Sequence, residues 1–249
     1  MLGTGAAYPG PHQACSGYLV KEGETNLLLD CGNGVVSRLQ EAGELETLTA
    51  LLFSHLHADH CSDIFPLFYW KLYGRGRNLP PLPIFLPPGE ADRLDRIAEA
   101  LRVEPRKLVE GAFTIAEYDP SAGLTHGRLQ LSFASNVHPV PTYSVRVDAA
   151  RGSLTYTADT GPFPGLASLA SGSRLLLAEA ALTEEEYDPE RPVHLTPRLA
   201  AELALQAGAQ RLLLTHIWPH HDRQAMLEQA RKHFPDAELA EELRRYPVP

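Results

Sequence analysis

The chain has 249 residues, 44% of them hydrophobic, and a formal net charge of −9. That is enough apolar side chain for a sizeable core, while the acidic balance disfavours non-specific binding of phosphate backbones. The densest basic stretches, Arg75 to Arg77 and Arg102 to Lys107, are short and interrupted, and no run approaches the roughly 20 apolar residues that cross a bilayer.

Met1 to Gly10 lacks the charged-then-apolar pattern of a signal peptide. Gly17 to Val20 and Asn26 to Leu29 are predicted to pair as strands around the turn Lys21-Glu22-Gly23-Glu24. Gly34 to Gln40 follows as a short helix. Thr49 to Phe53 is a continuous apolar run, predicted as a buried strand. Asp63 to Tyr73 is an aromatic-rich helix with Pro66 in its first turn, where a missing N–H does little harm. The proline-rich segment 78–89 is read as turns flanking the strand Ile84-Phe85-Leu86, in preference to a rigid flap over a site.

Glu90 to Ala100 is predicted as a helix, with strands near Phe113 to Glu117, Leu129 to Phe133, Tyr143 to Val147 and Ser153 to Thr157. Leu175 to Leu177 and Leu212 to Leu214 read as two more buried strands. Between them Thr196 can cap a helix with Pro197 at its first position and Gly208 just past its end. Neither a repeat nor a convincing linker interrupts this alternation, which predicts one α/β or α+β domain over 1–249. The cysteines, Cys15, Cys31 and Cys61, are odd in number and none forms a C-x-x-C pair. This is neither a disulfide framework nor a zinc knuckle, and a reducing, cytoplasmic setting is expected.

The strongest chemical signal is Ser54-His55-Leu56-His57-Ala58-Asp59-His60, directly after the strand ending at Phe53. Four potential metal ligands lie within six residues. On extended backbone His55 and His57 share a face, and Asp59 and His60, past the turn, can serve a second ion.

This H-x-H-x-D-H signature resembles the metallo-β-lactamase superfamily. Leu2-Gly3-Thr4-Gly5 and Leu28-Leu29-Asp30-Cys31-Gly32 look like its opening strands, the first either very short or beginning upstream of Met1. His138 after Asn136, Thr157-Ala158-Asp159-Thr160 and Leu214-Thr215-His216 extend the match over nearly the whole chain. The resemblance implies a four-layer αββα sandwich. It assigns one metal site to His55, His57 and His138, a second to Asp59, His60 and His216, and a bridging role to Asp159. Such donors suit two divalent ions, zinc first, with manganese or iron as alternatives. Ions roughly 3.5–4 Å apart bring a shared water toward ionisation near neutral pH, and Asp59 would orient that water.

Ala178-Glu179-Ala180 and Val193-His194-Leu195-Thr196 resemble the tRNase Z branch, in which a glutamate orients a histidine that protonates the leaving oxygen. Ala178 stands where a histidine is common. Only Pro139 to Ala158 separate His138 from Asp159, room for a strand hairpin but not for a tRNA-gripping arm. The chain is therefore similar to arm-less phosphodiesterases that act on small or cyclic phosphodiesters, rather than on tRNA. The resemblance also suggests a homodimer, whereas the cysteine spacing does not support the structural zinc of one such group. His220 and His221 read as a solvated loop, with contact to the substrate phosphate or a His221–Asp222 pair as alternatives. His12 could border the site, His126 and His233 read as surface residues, and Cys61 as a small buried thiol.

The leading expectation is metal-dependent phosphodiester hydrolysis. The alternatives are hydrolysis of a lactone or thioester, a tRNase Z-type ribonuclease, and a sensor whose metals only hold the fold. β-Lactam hydrolysis, normally periplasmic, is disfavoured without an export signal.

Overall fold

The computed structural model describes residues 1–103 and 112–248; the basic stretch Arg102 to Lys107 lies mostly outside them. Two sheets carry the molecule. The first has the order β1 (Tyr18–Glu22), β2 (Thr25–Leu29), β3 (Ala50–Leu52), β4 (Leu82–Leu86), β5 (Phe113–Glu117). The second runs β12 (Glu238–Leu239), β11 (Leu212–Thr215), β10 (Leu175–Glu179), β9 (Ser153–Tyr156), β8 (Tyr143–Asp148), β7 (Leu129–Ser135), β6 (Leu124–His126).

The leucine runs are apolar throughout because both faces of these strands are covered. Leu27, Leu29, Leu52, Tyr156, Leu177 and Leu213 point between the sheets and form a shared inner core. Their neighbours Leu28 and Leu51 turn outward onto helices α1 (Val35–Glu41), α3 (Ile64–Tyr73), which follows the short α2 (Ala58–Cys61), and α4 (Ala91–Ala100). On the other side Leu176, Leu212 and Leu214 face α5 (Pro164–Leu169), α6 (Pro197–Ala207) and α7 (Arg223–Arg231). Strand alternation alone sorts each run into two cores, and the result is the αββα layering. No helix among the described residues is long and apolar enough to cross a membrane.

The predicted strand pairs and helices fall within a few residues of their expected limits. Thr196 accepts from the Leu199 N–H at 3.3 Å, and Gly208 ends α6 in the left-handed region at φ 62°. Pro83 is tolerated inside β4 because pairing to β3 begins only at Ile84. β8 and β9 form the hairpin expected between His138 and Asp159.

Several expectations need correction. Leu2 to Gly5 forms no strand, only isolated bridges from Gly3 to Gly17 and from Gly5 to Cys15 and Ile217. β6, β12, α5 and α7 were not expected. β6 and β12 are too short to show a period, and α5 has a single turn to show one. α7 is announced only by Asp222, whose carboxylate caps it at Gln224 and Ala225. His126 is half-buried rather than on the surface, because its Nε2 bonds Thr49 Oγ1 at 3.0 Å across the edge of the first sheet. The three cysteines are free and buried, and burial pushes the Cys61 thiol up to about 12, as befits an inert packing residue.

Candidate metal centre

β2 and β3 run parallel in one sheet, and β9, β10 and β11 run parallel in the other. β7 joins that direction through two antiparallel steps. Every residue singled out for chemistry follows the carboxyl end of one of these strands, or lies in the loop beyond it, where open α/β sheets hold their ligands. The segment His55 to His60, a turn running into the one-turn helix α2 over Ala58–Cys61, follows β3, while His138 follows β7, Asp159 follows β9, and His216 follows β11. Glu179 ends β10, and His194 lies in the loop beyond it. Asp30, Ala158 and His216 take positive φ of 57°, 49° and 54° at these strand ends. Such strain concentrates where a fold must aim a side chain.

The seven residues assigned to metal converge in two overlapping groups. One donor atom each from His55, His57, His138 and Asp159 lie within 4.8 Å of one another, and so do those of Asp59, His60, Asp159 and His216. Asp159 belongs to both. Its Oδ1 is 3.2 Å from His60 Nε2, and its Oδ2 is 3.2 Å from His216 Nε2 and 3.9 Å from His55 Nε2. His57 Nδ1 lies 3.1 Å from His55 Nε2 and 3.2 Å from His138 Nε2.

The outward nitrogens are tethered. His60 Nδ1 donates to Asp30 Oδ2 at 2.8 Å and His138 Nδ1 to the Val193 carbonyl at 3.2 Å. His216 Nδ1 meets Ser16 Oγ, and His55 Nδ1 meets Ser54 Oγ, each at 3.0 Å. Since a carboxylate and a carbonyl only accept, His60 and His138 keep the Nε2 lone pair aimed inward in the neutral ring. Several nitrogen lone pairs then face one another around Asp159. His60 Nε2 and Asp159 Oδ1 are buried with no hydrogen-bond partner. Orphaned buried donors of this kind, all nitrogen and carboxylate oxygen, fit divalent cations of the zinc class.

Asp30 organises this shell, a role that its place in the run Leu28-Leu29-Asp30-Cys31-Gly32 does not disclose. Its buried carboxylate accepts from Ser54 N and Ser54 Oγ at 2.7 Å, and from His60 Nδ1 and the Tyr156 hydroxyl at 2.8 Å. The available signal was an acid closing the otherwise apolar run Leu27 to Leu29. Gly32 lets this turn approach the metal loop, since a Cβ there would lie 1.9 Å from the Asp59 carbonyl oxygen.

Charge is tightly linked across the centre. Burial holds His55 well below its usual range, helped by His60, and lowers His57 and His138 as well. Burial opposes charge on His60, but Asp159, Asp59 and Asp30 together raise it well above the ordinary value. Burial would raise Asp59, but His60 and His216 bring it down to about 2. Burial opposes the charge of Asp159 also, and the same two histidines hold it well below the carboxylate range. A proton on His60 and a metal cation are thus two ways of balancing the same carboxylates, and ligation would displace the proton.

Glu179 is buried and its position is fixed by backbone. Oε1 accepts from Thr160 N at 2.8 Å and from His194 Nδ1 at 2.9 Å, and Oε2 accepts from Ala181 N at 3.1 Å. Burial opposes the charge of His194, yet Glu179, with a smaller contribution from Asp159, lifts it to about 9. The ring stands 5.3 Å from that of His138 and 6.1 Å from that of His216, with 18% of the side chain exposed. Gly161 lets the His194 loop come in, because a Cβ there would lie 1.4 Å from the Pro192 oxygen.

Three further histidines lie outside both donor groups. His221 does not pair with Asp222, which is occupied in capping α7; its Nε2 bonds Glu186 at 3.0 Å. His220 is exposed but meets the Tyr8 hydroxyl at 2.8 Å. His12 is exposed at φ 57°, its carbonyl held by Arg38, outside either donor group.

A family model described as the Beta-lactamase superfamily domain matches residues 25–217. A Mycobacterium tuberculosis protein, Rv1339, is 33% identical over 240 residues, covering 94% of this chain and 85% of that protein. A ribonuclease Z of Salinibacter ruber is 32% identical, covering 98% of this chain and 92% of its own. That alignment runs over 304 positions, more than the 249 of this chain, so the ribonuclease has residues without counterpart here. The probable metallo-hydrolase YhfI of Bacillus subtilis is 30% identical over 88% of this chain and 86% of its own. A crystal structure of YhfI, a metallo-beta-lactamase fold protein, superposes with a TM-score of 0.86 at 27% identity, covering 97% of this chain and 95% of that one.

Proposed function

Because the chain belongs to the beta-lactamase superfamily and is a metallo-hydrolase, we propose that it hydrolyses small or cyclic phosphodiesters, with Asp59, Glu179 and His194 in its catalytic machinery. His55, His57 and His138 would hold one divalent cation and Asp59, His60 and His216 a second, with Asp159 between them. Both sheets contribute donors, which supports reading residues 1–249 as one domain. When bound, the cations supply Lewis acidity and lower the pKa of water in the cleft. Asp59, kept ionised to about pH 2, orients that water through its free lone pairs.

The observation that carries the phosphodiester reading is the Glu179–His194 pair. Glu179 fixes Nδ1–H, which leaves Nε2 as the end able to hand a proton to a leaving oxygen. An alkoxide departs poorly without that proton. The β8–β9 hairpin leaves no long arm between His138 and Asp159, and the surplus of residues in the ribonuclease Z relative also favours a small substrate.

The test is a substrate panel with zinc or manganese. Bis(4-nitrophenyl) phosphate and alkyl phosphodiesters should be cleaved. Activity on lactones or thioesters with none on phosphodiesters would overturn the proposal. His194→Ala should slow alkyl diesters by about 10²-fold or more while sparing 4-nitrophenyl diesters, whose leaving group needs no proton. Equal losses on both would remove His194 from the role of acid.

A further inference from the structure

A second cluster of possible ligands lies outside the centre just described. One donor atom each from Glu186, His220 and His221 lie within 4.8 Å of one another. The rings of His220 and His221 are 4.4 Å apart and meet edge to face at 67°. Only 6% of the His221 side chain is exposed. Its Nε2 lies 3.0 Å from a Glu186 oxygen, and its Nδ1 is buried with no partner. The contact with Glu186 therefore leaves the polar capacity of this buried ring unfilled, which in folded proteins calls for a ligand or solvent.

The other members are held in place. Thr183 donates from its N–H and its hydroxyl to Glu186 Oε2, at 2.9 and 3.1 Å, while Oε1 faces His221 Nε2 at 3.1 Å. These bonds, first that of the Thr183 N–H, keep Glu186 below the usual carboxylate range and so ionised. The Tyr8 hydroxyl, 2.8 Å from His220 Nδ1, fixes that ring as an outer partner fixes a metal-binding imidazole.

We propose that Glu186, His220 and His221 form a separate binding site for a transition-metal cation of the zinc class. Two imidazoles and one carboxylate are donors suited to zinc, cobalt or manganese, and exposure of Glu186 and His220 leaves room for water in the remaining positions. Bonds of about 2.1 Å in a tetrahedral set place donors roughly 3.4 Å apart, a modest closure from the present spacing for residues in loops. The location gives the ion a consequence. Glu186 lies in the loop between Glu179 and His194, and His220 and His221 lie in the loop that follows His216. A cation here ties together the two loops that leave the catalytic edge.

The test is the metal content of zinc-dialysed protein, read by elemental analysis, with a cobalt titration followed by absorbance. Glu186→Gln and His220→Asn alter exposed side chains, so the fold should survive; His221→Ala is a third variant. Each should bind one equivalent less than the parent while retaining the central ions and phosphodiesterase activity at saturating metal. A His55→Ala/His57→Ala variant should lose central metal and keep the outer equivalent, which separates this proposal from the assignment of the centre. Identical stoichiometry and cobalt spectra in the parent, the Glu186→Gln and the His220→Asn proteins would overturn it.

Discussion

Replacing Glu179 by Gln keeps the shape of the side chain and removes the charge that holds the proton on His194. His194 rises from an ordinary 6.5 to about 9, against the effect of its own burial. At about 1.4 kcal/mol per unit, the surroundings favour the imidazolium by about 3 kcal/mol. Little of this is lost to solvent, since 18% of the ring side chain is exposed. The raised value means that the acid is available below it and is lost as pH rises through it. Without the carboxylate the value returns toward 6.5 or lower, because burial then acts against the charge with only the smaller contribution of Asp159 to oppose it. At pH 8 a group of pKa 6.5 is charged roughly 3% of the time, so kcat on an alkyl diester should fall roughly 30-fold, with near parity at pH 6. Bound cations lower both values together, so in the metal-loaded proteins the same gap and the same parity appear at correspondingly lower pH. The assay is kcat against pH for metal-loaded parent and Glu179→Gln, on alkyl and 4-nitrophenyl diesters. A purely structural Glu179 would depress kcat uniformly with pH. An alkaline limb at the same pH in both proteins would refute the coupling.

Asp30→Asn should reduce metal affinity about 10- to 100-fold, because it frees His60 from its tether, and should destabilise the metal-free protein by about 3–5 kcal/mol. Competition with a chromophoric chelator and a denaturant titration read the two effects, and parental values for both would show that Asp30 is not the organiser. Stripping the metals should lower Tm by several degrees, since a ligand at 100 times its Kd contributes about 2.7 kcal/mol; an unchanged Tm in excess chelator would contradict the convergence of seven donors on cations. Reloading at pH 7 in weak buffer should release protons, chiefly from His60, whose folded value lies well above the ordinary one. Uptake instead of release would invert that assignment.

The chain by itself determined the local features. The leucine runs had to be strands covered on both faces, Thr196, Pro197 and Gly208 had to bound a helix, and H-x-H-x-D-H had to present several donors from one turn. These follow from side-chain alternation and backbone chemistry within a few residues, so they are legible without a fold. Ligand candidates remote in sequence, His138, Asp159 and His216, were legible only through the family resemblance that H-x-H-x-D-H opened, since a single histidine or aspartate after a strand carries no such signal by itself. What stayed hidden depended on which strand ends become neighbours. Asp30 looked like one more strand terminus until β2 was placed beside β3, which sets its carboxylate under Ser54 and His60. His221 reads as part of a solvated loop, with adjacent Asp222 as its alternative partner, yet the loop after β10 brings Glu186 to it from 35 positions away. His126 looked exposed until β6 joined the second sheet and met Thr49. A buried carboxylate or imidazole gains its role from the partners that replace water around it, and those partners come from segments that only the packing of the two sheets brings together.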